Sequence, residues 1–181
     1  MIDFIQNLDA NALLFIQDNL RTPFFDGFFV FITKLGDFGL LWIALGLALL
    51  IPKKTRRGAL TLLLALLLTL IVNNYLIKPL VARPRPYSTI ESLSIIVERL
   101  GSFSFPSGHA SSSFAAATIF ALVFGTKGAW AFLPAVLIAF SRCYVGVHYP
   151  SDVLVGALVG TAVAVGVYFL PLCLGRQKSN C

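Results

Sequence analysis

Residues 59–77 read ALTLLLALLLTLIVNNYLI, nineteen positions without a charged side chain and with nothing more polar than threonine before Asn73. A helix needs about 20 apolar residues to cross the hydrocarbon core of a bilayer, so this stretch is a membrane span. Lys53, Lys54, Arg56 and Arg57 stand just before it and Lys78 just after it. Four basic residues in a tight loop mark the cytoplasmic side, and the span therefore delivers Lys78 to the opposite face.

The rest of the chain agrees. Of 181 residues, 57% are hydrophobic and 12% charged, with a mean hydropathy of +0.85; a soluble domain carries roughly twice that charge. The length leaves room for a handful of spans and nothing else, so residues 1–181 read as one membrane-embedded domain. A net charge of +6 would suggest nucleic acid in a soluble protein. Here the basic residues cluster at the ends of apolar runs, which fits membrane orientation and an anionic ligand instead. Carboxylates are scarce in the long second half, where Glu91, Glu98 and Asp152 are the only ones after Asp37. That argues against a carboxylate-built metal site, and no metal, cofactor or obligate protein partner is expected. Cys143, Cys173 and Cys181 imply no disulfide framework.

Upstream of the quoted span, Leu40 to Ile51 with its flanks reads as a first convincing span, closing at Pro52. Phe24 to Leu35 is aromatic-rich but carries Asp26 and Lys34 and is short of a crossing, so it reads as a packed, partly inserted helix. Residues 2 to 19 mix Phe4, Ile5, Leu8 and Phe15 with Asp3, Asp9 and Asp18 at helical spacing, the pattern of an interfacial amphipathic helix. Residues 1–37 are thus an interfacial and partly inserted region.

Downstream, residues 79–106 shift to Pro, Arg, Ser and Glu, with an amphipathic piece around Leu93 to Leu100. This is the one long loop, placed on the extracytoplasmic side, and long loops are usually functional. Ala110 to Phe124 returns to a turn at Gly125 to Gly128, Ala129 to Phe140 goes out again, and Val153 to Leu172 crosses back toward Arg176 and Lys178. The expected architecture is an all-α bundle of five spans, six if Phe24 to Leu35 also crosses. Gly156, Gly160 and Gly166 would let helices approach closely, and Asn73 and Asn74 would bond between helices. Tyr87, Tyr144 and Tyr149 fall where an aromatic belt would lie.

Three polar clusters reach one membrane face. Lys78 and Arg85-Pro86 come first, then Pro106-Ser107-Gly108-His109, then Ser141-Arg142 followed by His148 and Asp152. Lys78, Arg83, Arg85 and Arg142 break the positive-inside bias, which an anion on that face explains. Guanidinium forks match phosphate oxygens, and Ser107 and the Gly108 N–H at a helix start can complete a cradle. A carboxylate four residues from an imidazole, Asp152 after His148, fixes its tautomer and frees the other nitrogen to attack. His109 is left to protonate a leaving oxygen and then to activate water. Ser107 lacks the elbow of a serine nucleophile. Arg83 and Arg99 read equally well as snorkelling anchors.

The spacing Lys-x6-Arg-Pro, Pro-Ser-Gly-His and Ser-Arg-x5-His-x3-Asp resembles the signature of the type 2 phosphatidic acid phosphatase superfamily, intact here across Lys78 to Asp152. The resemblance implies metal-independent hydrolysis of a phosphomonoester or pyrophosphate through a phosphohistidine on His148, with His109 as acid and base and Asp152 orienting His148. Lys78, Arg85, Ser107, Gly108 and Arg142 would hold the phosphoryl group. The family's relation to vanadium haloperoxidases implies inhibition by vanadate. The expected substrate is a lipid phosphate met at the outer face of the plasma membrane: undecaprenyl pyrophosphate or phosphatidylglycerophosphate first, phosphatidic acid or lipid A second. The rival from another class is a lipid-phosphate binding or transport protein that does not hydrolyse. Binding alone needs no ordered nucleophile, and His148, His109 and Asp152 therefore favour the enzyme.

Overall fold

The computed structural model describes residues 2–170, and among these every regular element is helical. Helix α1 (Ile2–Leu20) turns Leu13 and Ile16 inward and leaves Phe4, Ile5, Leu8 and Phe15 exposed. The chain breaks at Arg21, and α2 (Pro23–Leu35) starts with Thr22 as its cap, the Thr22 hydroxyl accepting from the Phe25 N–H at 3.3 Å. Proline at the first helical position costs nothing there, because its missing N–H would have been an orphan.

The next element corrects the sequence reading. Leu40 to Ile51 is not a span by itself: α3 (Leu40–Leu49) has ten residues, about 15 Å of helix. A one-turn break at Asp37–Gly39 joins it to α2, and the two pass together as one apolar segment bent by 46°. The break depends on left-handed backbone at Phe38 (φ 53°) and Gly39 (φ 69°), a conformation that hydropathy cannot register.

Helix α4 (Arg56–Ile71) contains most of the quoted stretch and runs on through a π-helical turn, Val72–Ile77, into α5 (Lys78–Val81). Lys78 therefore stands at the far end of the span, as expected. Short α6 (Pro86–Thr89) follows, and residues 90–107 are irregular. The expected amphipathic piece at Leu93 to Leu100 is not a helix; Gln17 and Arg21 bond Ser94, and Tyr87 bonds Leu100, so side chains pin this loop instead. Helix α7 (Gly108–Phe124) starts at the Ser107 cap. The expected turn at Gly125 to Gly128 is a single helical turn, α8 (Thr126–Ala129). Helix α9 (Phe132–Tyr144) begins later than expected and contains Ser141 and Arg142 in its last turn, and α10 (Pro150–Tyr168) completes the described chain. Leu172, Arg176, Lys178, Cys173 and Cys181 lie outside the described residues. By length and composition the two segments Arg56–Thr89 and Pro150–Tyr168 can span a membrane, three with the bent pair, and Gly108–Phe124 is a shorter apolar helix.

Helix α7 is the central post, with α3, α4, α9 and α10 against it. Its inward positions are small, and Ala110, Ser111, Ala115, Ala116 and Ala117 are fully buried. Closest is α10. A Cβ at Gly156 would stand 2.6 Å from the Ser107 carbonyl oxygen, and one at Gly160 would run into the Ser111 carbonyl. The expected close approach thus holds at Gly156 and Gly160, but Gly166 meets nothing within 4 Å. Trp42 fills the other side of α7 and donates to the Ser113 hydroxyl at 2.9 Å, satisfying its one buried donor. A second cluster, with Leu13, Leu93, Tyr144, Val147 and Tyr149, closes the opposite end of the bundle under α1. Tyr144 and Tyr149 are therefore core residues (1% and 0% exposed), not an aromatic belt. Nor does the Asn73 side-chain oxygen bond between helices: it is buried without a partner, while Asn74 faces a cavity.

Candidate active site

Each polar cluster enters from the end of a helix. The π turn and α5 carry Lys78, the extended residue before α6 is Arg85, the first turn of α7 holds Gly108 and His109, the last turn of α9 holds Arg142, and the α9–α10 connection holds His148. All six line one cavity of about 480 Å³. Its outer wall is Ile43, Leu63, Leu66, Leu67 and Leu70, contributed by α3 and α4. A second, more open cavity of about 610 Å³ lies on the other side of Lys78 and Arg85, with Arg99, Ser88 and Tyr87 in its wall.

Arg85 is locked by its own loop. Its Nε donates to the Ser102 carbonyl at 2.7 Å, Nη1 to the Val147 carbonyl at 2.8 Å, and Nη2 to the Ser102 hydroxyl at 3.0 Å. Nη1 also lies 3.3 Å from His148 Nε2. A donor there suits an unprotonated Nε2, which puts the proton on Nδ1. Arg142 is 3% exposed, donates from Nη1 to the Thr33 hydroxyl, and keeps Nε buried without a partner. Among the described residues no salt bridge involves Lys78, Arg85 or Arg142. Three cations without paired carboxylates and one orphaned donor fit a phosphate's charge and its acceptor oxygens.

Behind His148 lies Asp152, fully buried at the third position of α10, the helix having started at Pro150 between them. Oδ2 accepts from the Tyr149 N–H at 3.0 Å and from the Ser104 hydroxyl. His148 Nδ1 is 3.6 Å from Oδ2 and 3.5 Å from the Ser104 oxygen. The expected Asp152 contact is therefore in ion-pair range but longer than a hydrogen bond, with Ser104 beside it as a further acceptor. His148 sits in the connection between α9 and α10, outside the helices. Burial pushes its pKa down to about 3, with Arg142 and Arg85 adding to the shift and Asp152 opposing it. The imidazole is neutral across the physiological range, the form that can attack.

The structure revises Ser107. It is fully buried and absent from the cavity wall; its hydroxyl caps α7 and its N–H donates to the Asp152 carbonyl at 3.0 Å. Its backbone N–H is thus engaged, and the Gly108 end of the turn faces the cavity. The hydrogen bond ties α7's first turn to α10's, which holds His109 and Asp152 in register.

Two residues escaped the sequence reading. Arg83 is no snorkelling anchor: Nη1 reaches Asp152 Oδ1 at 2.6 Å and Nη2 reaches Asp9 Oδ2 at 2.8 Å, with the guanidinium 3.8 Å over the Tyr149 ring. Asp37 meets His109, its Oδ1 lying 3.0 Å from Nε2. The available signal was a carboxylate between Gly36 and Gly39, at the junction of two apolar runs. Among the described residues no three His, Cys, Asp or Glu side chains gather as metal ligands would.

The family profile described as PAP2 superfamily matches residues 58–172. Undecaprenyl-diphosphatase from Sulfolobus acidocaldarius is 32% identical over 163 residues, covering 88% of this chain and 77% of that protein. Lipid A 4'-phosphatase from Bacteroides thetaiotaomicron is 31% identical, covering 88% and 75%. Among solved structures, a transmembrane PAP2 type phosphatidylglycerolphosphate phosphatase from Bacillus subtilis superposes with a TM-score of 0.78 at 26% identity, over 96% of this chain and 89% of that one.

Proposed function

The chain belongs to the PAP2 superfamily, and on that premise we propose that it is a membrane lipid phosphatase acting through a phosphohistidine on His148. The observation that carries this reading is the shape of one cavity. Lys78, Arg85, Arg142, His109 and His148 form its polar end, and leucines of α4 form its apolar wall. A lipid can keep its chain against Leu63, Leu66 and Leu67 while its phosphate reaches the histidines.

His148 Nε2 attacks phosphorus, the lipid oxygen leaves, and a proton from His109 neutralises it. Water, deprotonated by His109, then attacks the phosphohistidine and releases inorganic phosphate. Asp152 stabilises the positive charge that His148 acquires, and Lys78, Arg85, Arg142 and the Gly108 N–H hold the phosphoryl oxygens. Ser107 supports them as the α7 cap rather than as a direct ligand. Charge stabilisation by cations and N–H donors makes the reaction metal-independent.

The domain is the whole chain, with α1 seated at the membrane interface on its exposed Phe4, Ile5, Leu8 and Phe15. Five crossings, the bent α2–α3 pair being the first, put Lys53 to Arg57 in the cytoplasm and the site toward the outside. The relatives act on chemically different lipids, so their names do not rank substrates. Undecaprenyl pyrophosphate and phosphatidylglycerophosphate are the first substrates to test, with phosphatidic acid and lipid A after them.

The test is phosphate release by detergent-solubilised protein from both lipids, phosphatidic acid and lipid A. Wild type is expected to work in EDTA and to be inhibited by vanadate, and His148→Ala to lose at least about a thousandfold in kcat. Activity abolished by EDTA, or retained by His148→Ala, would overturn the mechanism.

A further inference from the structure

The Gly36-Asp37-Phe38-Gly39 break between α2 and α3 is built around His109. Asp37 Oδ1 stands 3.0 Å from His109 Nε2. A Cβ on Gly36 would lie 2.6 Å from Cδ2 of the same ring, so only glycine lets the break close on it. Phe38 takes φ 53°, a conformation that costs a side chain bearing a Cβ, and its ring is 90% exposed; no packing of Phe38 itself accounts for that backbone. What the turn achieves is the placing of Asp37 in the wall of the cavity that His109, Arg142 and His148 share.

We propose that Asp37 is a positioning residue that orients His109 and favours its imidazolium form for protonation of the leaving lipid oxygen. The inference rests on the reading of His109 as the acid. A carboxylate facing Nε2 accepts from that N–H and favours the form of the ring that carries the proton. The other charges in the cavity wall are of the opposite kind: Arg142 from α9, which disfavours a second cation at His109, and Lys78 and Arg85 on the far side. Lys34, one turn before the break, interacts electrostatically with Asp37 instead. Among the described residues Asp37 is thus the carboxylate set against the cationic wall at His109, as Asp152 is at His148.

The proton account closes on these groups. As the phosphorus–oxygen bond breaks, the lipid oxygen takes the Nε2 proton, and its electron pair becomes the new O–H bond. Neutral His109 then takes a proton from the attacking water, while the phosphorus–nitrogen bond returns its pair to His148. Asp37 is 44% exposed in its side chain, free enough to turn aside when the bridging oxygen arrives at the same N–H.

Asp37→Asn keeps the shape and removes the charge. It is expected to lower kcat on a lipid phosphate roughly tenfold, with KM little changed, and to move the basic limb of the kcat/KM profile down by about one pH unit. The sign follows from linkage: the carboxylate favours the protonated ring, so its loss lets His109 deprotonate at lower pH. Activity on p-nitrophenyl phosphate, whose leaving group needs no proton, should fall far less, and Asp37→Glu should restore most of the lipid rate. An unmoved basic limb, or equal losses on both substrates, would overturn the inference. His109→Ala separates the two levels: if it stays active on lipid phosphate, the acid assignment itself is wrong.

Discussion

Arg83 divides its guanidinium between Asp9 on α1 and Asp152 on α10, and Ser151 and Gln6 complete its partners at 2.7 and 2.8 Å. Asp9 and Asp152 are almost wholly buried, so removing Arg83 would strand two carboxylates. Breaking such a pair costs about 3–5 kcal/mol. Arg83→Gln is therefore expected to lower the unfolding temperature in detergent sharply and also to reduce kcat, because Asp152 loses the contact that fixes its second oxygen. A variant with wild-type stability would show that the bridge is not carrying the site. His148 makes a separate prediction. Its unfolded pKa is about 6.5, and in the fold it is about 3. Between those values the unfolded chain binds a proton that the folded one refuses. The contribution of His148 to stability is therefore whole above about pH 6.5 and is lost progressively as pH falls below it. Thermal scans from pH 7 to pH 4.5 on wild type and His148→Gln should show the steeper loss in wild type. That the three motifs meet at one cavity was legible from their residue types and spacings, except that Ser107 caps α7 outside the cavity wall. Arg83 and Asp37 were not, because their meaning lies in partners 69 and 72 positions away.

The α7–α10 contact sets the site at the next scale. Ser107 bonds the Asp152 carbonyl where Gly156 touches Ser107, so backbone-to-backbone packing controls how far His109 stands from His148. Gly156→Ala would push α10 outward near the catalytic end, and Gly160→Ala would collide with Ser111 carbonyl, neither of which can yield as a flexible side chain could. Each is expected to cost roughly 1–3 kcal/mol and to lower kcat. Gly166→Ala, in open space, should be neutral or slightly stabilising through the unfolded state. Unfolding temperatures of the three variants check the order; equal effects would mean that the close approach is not what these glycines provide. Small residues four apart announced this contact in the sequence. The α2–α3 break was not announced, because a hydropathy window averages over Gly36 to Gly39 and sees two short apolar runs. The buried tyrosines misled for a similar reason: an aromatic at a span end looks the same whether it faces lipid or packs under α1.

For the molecule as a whole, the membrane class and the gathering of three motifs at one end followed from composition, loop charge and spacing. The shape of the cavity did not. It depends on α3 and α4 meeting beside the bend, and so on the one backbone feature that the sequence kept hidden. That shape separates two routes to the histidines. The leucine-walled cavity faces apolar surface, where Leu67 and Leu70 remain about half exposed, and the opposite cavity is lined by Lys78, Arg83, Arg85 and Arg99. Lys78 and Arg85 stand in both walls. A lipid chain has reason to enter by the first route only, since the second offers cations to hydrocarbon. Bulk placed at Leu67 or Leu70 should therefore discriminate between substrates by chain length. Leu67→Trp and Leu70→Trp are expected to reduce kcat/KM for a long-chain lipid phosphate about tenfold, from the 1–3 kcal/mol that overpacking a contact costs. Hydrolysis of a short-chain, water-soluble phosphate ester should barely change, because it can reach Arg85 and His148 without passing α4. Parallel rates on dioctanoyl and dioleoyl phosphatidic acid provide the measurement. An equal loss on both would mean that the tryptophans disturb the catalytic end itself, and no loss on either would place the lipid's path elsewhere in the bundle.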